Sequence, residues 1–93
     1  MRPGEIRDRL DADQMGPVVV ISSELFNFGM NRVLVAPLLA TAGIAPSIPV
    51  KGGHLAFPLL LSLPLAALSD PRGRIDDADL EEVHGYLAGA MTR

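Results

Sequence analysis

The sequence predicts a mostly β fold, a small barrel of five or six short strands followed by one C-terminal α-helix. Three observations lead there. Charge is concentrated at the ends: the first 13 residues carry seven charges, whereas residues 14–69 carry three, Glu24, Arg32 and Lys51. The uncharged middle is cut by proline and glycine into apolar runs too short for buried helices and rich in β-branched residues. Only the last segment has helical spacing. At 93 residues, one domain spanning 1–93 is expected.

Gly4 to Leu10 is expected as a partly exposed first strand with Ile6 and Leu10 on one face. Pro17 to Ile21 is a continuous branched aliphatic run, the pattern of a strand buried on both faces. Pro17 can only open it, having no N–H for a ladder. Ser22 or Ser23 can cap one helical turn through Phe26, and Gly29 with Asn31 then forms a turn. Val33 to Leu39 is a second buried strand, with Pro37 forcing a bulge or an edge. Gly43 and Pro46 break the chain, residues 47–51 form a short strand, and Gly52-Gly53 is a turn. Residues 54–68 hold Pro58 and Pro64, which argue against an uninterrupted helix and for strand, turn, strand. Asp76 or Asp77 caps the final helix. Acidic residues in its first turns suit the helix dipole, and Leu80, Val83, Leu87 and Met91 form its apolar stripe. Gly85 and Gly89 weaken it but permit close approach of another backbone.

Composition limits function. The net charge of −3 speaks against nucleic-acid binding by bulk charge and leaves room for a local basic patch. There is no cysteine, so no disulfide or thiolate metal site supports so short a chain. No metal-ligand spacing or phosphate-binding glycine loop is present, and no cofactor is expected. A small chain buries a modest share of its surface, which favours a homodimer. The charged start does not resemble a signal peptide, and the most apolar stretch, residues 55–68, falls short of the roughly 20 residues of a membrane span. A cytoplasmic location is expected, without membrane contact.

Three stretches, "RPGEI", "GPVVVISSELFN" and "RVLVAPLLAT", resemble in order and spacing the MazF/PemK/Kid group of toxins. The resemblance covers nearly the whole chain. It implies a homodimeric SH3-like barrel acting as the toxin of a toxin–antitoxin system: an endoribonuclease that cuts single-stranded RNA without metal and is restrained by a cognate antitoxin. Such cleavage uses the substrate's 2′-hydroxyl as nucleophile. It needs a base for that hydroxyl, a cation for the phosphorane and an acid for the leaving oxygen. The group places an Arg just before the strand's Pro and a Thr or Ser two residues after the later Pro. Here those positions hold Gly16 and Leu39, so no catalytic residue carries over directly. The loop between the first two strands is also shorter than usual.

Substitutes are Arg7 and Arg9, on one side of the first strand by the period-2 rule. They either bring positive charge to the barrel mouth or form a solvated face balanced by Asp8, Asp11 and Asp13. Thr41 offers a hydroxyl four residues after Pro37, or is a strand-end threonine. Lys51 and His54, flanking Gly52-Gly53, can contact RNA phosphate or form an ordinary hairpin tip. Asn27 matches the group's Asn and is expected to fix the turn by side-chain to backbone bonding. His84 is expected on the helix surface or at an interface. Two alternatives stand beside the nuclease: a CcdB-like gyrase-binding toxin, although the C-terminus lacks the Trp such poisons use, and a catalytically impaired toxin-fold protein that only binds an antitoxin.

Overall fold

The computed structural model describes residues 1–11, 16–41, 47–50, 52–56 and 59–91. The elements in chain order are β1 (Glu5–Arg7), β2 (Val18–Val20), α1 (Glu24–Met30), β3 (Arg32–Leu39), β4 (Ile48–Val50), β5 (Gly53–Leu55), β6 (Leu61–Pro64), β7 (Gly73–Arg74) and α2 (Asp77–Met91). The fold is a mostly β, antiparallel half-barrel with a short helix after β2 and a C-terminal helix, as the sequence predicts. Among the described residues there are seven strands rather than five or six. The extra one is β7, a two-residue pairing of Glu5 with Arg74 and Ile6 with Gly73 that has no apolar pattern to announce it.

β2 lies between β1 and β3, and its three valines are buried on both faces. Val19 and Ile21 point to one side with Ala36, Leu38, Ile48, Leu55 and Ile75, where Leu80, Val83 and Leu87 of α2 cover them. Val18 and Val20 point to the other side with Val33, Val35, Leu63 and Leu68, inside the half-barrel. An isolated bridge between Arg9 and Leu68 draws the two edges of this inner face together. Each fully buried valine contributes on the order of 1.5–3 kcal/mol.

β3 organises the sheet. One edge pairs with β2; the other pairs first with β6 (Arg32–Val35) and then with β5 (Leu38 and Leu39). Pro37 lies where that second edge changes partner, and its carbonyl accepts from Ala56 N–H at 3.0 Å. By the alternation of an antiparallel ladder, the N–H that proline lacks would face this gap. The proline therefore interrupts neither ladder, and no bulge is needed.

Two local expectations are corrected. β1 ends at Arg7, and Leu10 is 64% exposed while Ile6 packs on the outer core; pairing moves from β2 to Leu68 at Arg9, so the face does not continue to Leu10. The helical turn from Ser23 does not stop at Phe26. Ser23 Oγ accepts from Phe26 N–H at 3.2 Å, and the helix runs to Met30 with Asn31 as a left-handed C-cap. Gly29 is thus inside the helix and only Asn31 turns the chain. Around Gly85 and Gly89, no described atom of the chain comes within 4 Å of where a Cβ would stand, which leaves this stretch of α2 open to another backbone.

Candidate functional site

The strand register brings the two informative positions together. β2 and β3 pair Val18 with Pro37, and Leu38 N–H donates to Pro17 O at 2.9 Å. One residue further along, the same register sets Gly16 opposite Leu39. β5 then sets His54 opposite Leu39, and β4 sets Pro49 opposite His54. Leu39, His54 and Pro49 form one row across β3, β5 and β4, and Gly16, two residues before β2, continues it. Opposed residues in an antiparallel pair share a face, so this row lies on the inner face at the Pro17 end of the half-barrel, here termed its mouth. With strands about 4.8 Å apart, Gly16 and His54 are about 10 Å apart across the row.

The mouth is bare at one side and rigid at the other. Gly16 is exposed, and no described atom lies within 4 Å of where its Cβ would stand. Leu39 is half-buried and apolar. His54 is half-buried on a strand held at both edges, and its imidazole has no hydrogen-bond or ion-pair partner among the described residues. Gly53 fixes the backbone beside it: with φ at +156°, it passes so near β3 that a Cβ would stand 2.3 Å from Leu39 O. Only glycine fits there.

Arg7 and Arg9 do lie on one side, and both are committed elsewhere. Arg7 opposes Val18 and Arg9 bridges Leu68, so both side chains belong to the inner face, 12% and 14% exposed rather than solvated. Arg7 donates to Glu5 Oε1 at 2.8 Å and to Ser69 O at 2.7 Å. Arg9 grips both carboxylate oxygens of Asp11 at 2.9 Å. That pairing holds the Arg9 guanidinium above, and the Asp11 carboxyl below, its ordinary pKa. Burial works against the Glu5 charge, but donation from Arg2 N–H and the Arg7 guanidinium outweighs it, and the Glu5 carboxyl titrates below its ordinary range. Asp8 pairs with Arg72 at 2.9 Å instead of with Arg7 or Arg9. Arg2, Arg32 and Arg74 are likewise engaged, with Glu24, Ser62 and Asp77. Every arginine among the described residues therefore has a partner.

Thr41 is exposed, two residues beyond the end of β3 and outside the row. Lys51 lies outside the described residues. Asn27 is far from the mouth, at the opposite end of β2. It is 1% exposed, and its Nδ2 donates at 3.1 Å to both Met1 O and Ser22 O, while its Oδ1 accepts from Ser22 Oγ. Ser22 Oγ also accepts from Leu34 N–H at 2.9 Å, so the network ties the N-terminus, β3 and the start of α1. Ser22 had a sequence signal only as a possible cap; its pairing with Asn27 spans a β2–α1 corner that spacing alone does not reveal. His84 Nε2 donates to Ile21 O at 2.9 Å and docks α2 on the sheet. Among the described residues no cluster of His, Cys, Asp and Glu could hold a metal, and no helix is long and apolar enough to cross a membrane.

The sequence matches no protein-family profile and no curated protein. The fold does match solved structures. One is an endoribonuclease from a mycobacterial species, 18% identical, with a TM-score of 0.81 over 98% of this chain and 90% of that one. Another is a mycobacterial endoribonuclease in complex with its cognate antitoxin, 19% identical, with a TM-score of 0.78 over 98% of this chain and 94% of that one. At such identities the likeness is one of architecture, and it extends across nearly the whole chain: the half-barrel and both its helices are the fold of these endoribonucleases.

Proposed function

We propose that the chain is the toxin of a toxin–antitoxin pair and a metal-independent endoribonuclease that cleaves single-stranded RNA through the substrate's own 2′-hydroxyl. The observation that carries this reading is the fold shared over 98% of the chain with two endoribonucleases, one of them bound to its antitoxin. Two further features support it. The positions at which the MazF/PemK/Kid group places its Arg and Thr, Gly16 and Leu39, fall side by side at the half-barrel mouth, where this reading seats the RNA strand. The exposed face of α1, with Leu25 83% and Phe28 88% exposed, is the kind of apolar surface that soluble chains usually cover with a protein partner. A second copy of the chain and an antitoxin are the partners this reading expects.

A second reading, a toxin-fold protein that binds an antitoxin without cutting RNA, is favoured by Gly16, Leu39 and the engagement of every described arginine. Incubation of the purified protein with mixed-sequence single-stranded RNA in EDTA separates the two. Products ending in 2′,3′-cyclic phosphate support the nuclease; intact RNA at high protein concentration removes it and leaves the binder. Growth arrest on expression without RNA loss would instead point to a CcdB-like poison.

A further inference from the structure

We infer that His54 is the acid–base residue of this mouth, taking over at β5 a part of the chemistry that Gly16 and Leu39 cannot supply. The inference rests on the nuclease reading above and goes beyond it by naming the residue and its step. Three observations select His54. It stands in the row of Gly16 and Leu39, directly opposite Leu39 in the register. It is the member of that row with a titratable side chain, and the imidazole has no partner among the described residues, whereas Arg7 and Arg9 are bound to Glu5 and Asp11. It sits on a strand paired at both edges, and the close passage of Gly53 against Leu39 O holds its backbone in place. A group held so firmly is a better proton acceptor for a positioned hydroxyl than one on a loop. The described residues of the end of β3, of β4 and of β5 carry no other charged or titratable group, so nothing on them competes for the proton.

The step balances without a co-reactant. An imidazole nitrogen of His54 takes the proton of the 2′-hydroxyl as O2′ bonds to phosphorus. The bond from phosphorus to O5′ then breaks, and O5′ receives a proton from water. The products are a 2′,3′-cyclic phosphate and a 5′-hydroxyl, and the imidazolium returns its proton to solvent. No oxidation state changes.

The test uses the full chain and a mixed-sequence single-stranded RNA in EDTA under single-turnover conditions. His54→Ala and His54→Gln are both expected to lower the cleavage rate about 100-fold or more, with circular dichroism spectra unchanged. Added imidazole should restore part of the rate to His54→Ala. A 2′-O-methylated strand, which cannot be cut, should shift the ring-proton resonances of His54 in the wild type. If the wild type produces cyclic phosphate ends and both variants cut within twofold of it, His54 is not the base and the nuclease reading survives. If the wild type leaves RNA intact, the nuclease reading and the role of His54 both fail.

Discussion

The two ends of β2 differ in how completely their polar groups are used. At the Ile21 end, Ser22 and Asn27 close a buried network in which each side-chain donor and acceptor has a partner, reaching Met1 O, Ser22 O and Leu34 N–H. His84 adds a bond to Ile21 O there. At the Pro17 end the row is nearly stripped of polar side chains, and His54 stands without a described partner. A saturated network rigidifies a fold and leaves nothing over for a ligand. A half-buried imidazole without a partner among the described residues costs stability little and, on the proposed reading, is available to a substrate. On the proposed reading, structure belongs to the first end and chemistry to the second, and substitutions at the two ends should separate stability from activity.

The largest expected effect is at the chemical end, yet on stability. Gly53→Ala places a methyl into Leu39 O at a φ that L side chains rarely adopt, which should cost about 3 kcal/mol through strain and displaced pairing of β5 with β3. Urea denaturation measures it; a loss below about 1 kcal/mol would mean that β5 is free to move and that His54 is not rigidly held. Asn27→Ala comes next, at about 2 kcal/mol. It leaves Ser22 Oγ–H and two carbonyls short of a partner, while water at the N-terminus can recover part of the loss. Cleavage by the folded fraction should stay unchanged. A drop in its rate would join the two ends of β2 functionally and break the division drawn above.

Gly16→Arg tests the bare side of the row. The Cβ has open space, so stability should change by no more than about 0.5 kcal/mol. A guanidinium beside Leu39 and His54 should tighten single-stranded RNA binding about tenfold at low salt, with the gain fading as ionic strength rises. Fluorescence anisotropy with a labelled oligonucleotide reads both. Unchanged affinity would place the RNA path away from this mouth.

Much of this arrangement was legible in the sequence. The branched run after Pro17, the final helix with acidic residues in its first turn and Leu80, Val83 and Leu87 on the core, and the end of β6 at Pro64 all depend on local pattern, and local pattern is what the chain displays; the break expected at Pro58 lies outside the described residues. The commitments of Arg7 and Arg9 were legible only in part: Asp11 was among the carboxylates expected to balance them and does hold Arg9, whereas Asp8 pairs with Arg72 and the partner of Arg7 is Glu5, which the sequence did not single out. The row at the mouth was not legible. It depends on β3 changing partner from β6 to β5 at Pro37, a pairing between segments some 15 residues apart that no local pattern fixes. α1 was read too short because Gly29 suggests a turn, whereas Asn31, able to adopt the left-handed cap, ends the helix two residues later.

The smallest effect concerns the charges on the inner face, and it distinguishes structural from available cations. Glu5 Oε1 accepts from Arg2 N–H at 2.8 Å and from the Arg7 guanidinium at 2.8 and 3.2 Å, and its pKa in the folded protein lies below the ordinary 4.5. A carboxyl whose pKa falls on folding contributes stability that is fully present above the unfolded-state value. That contribution is lost as pH drops through the folded-state value. The wild type should therefore melt higher than Glu5→Gln at pH 7, and the two melting curves should converge as pH falls below 4.5. Parallel curves down to strong acid would show that the Arg7 ion pair contributes nothing to folding. Arg7 would then be held by Ser69 O alone and free to turn its charge toward a phosphate at the mouth.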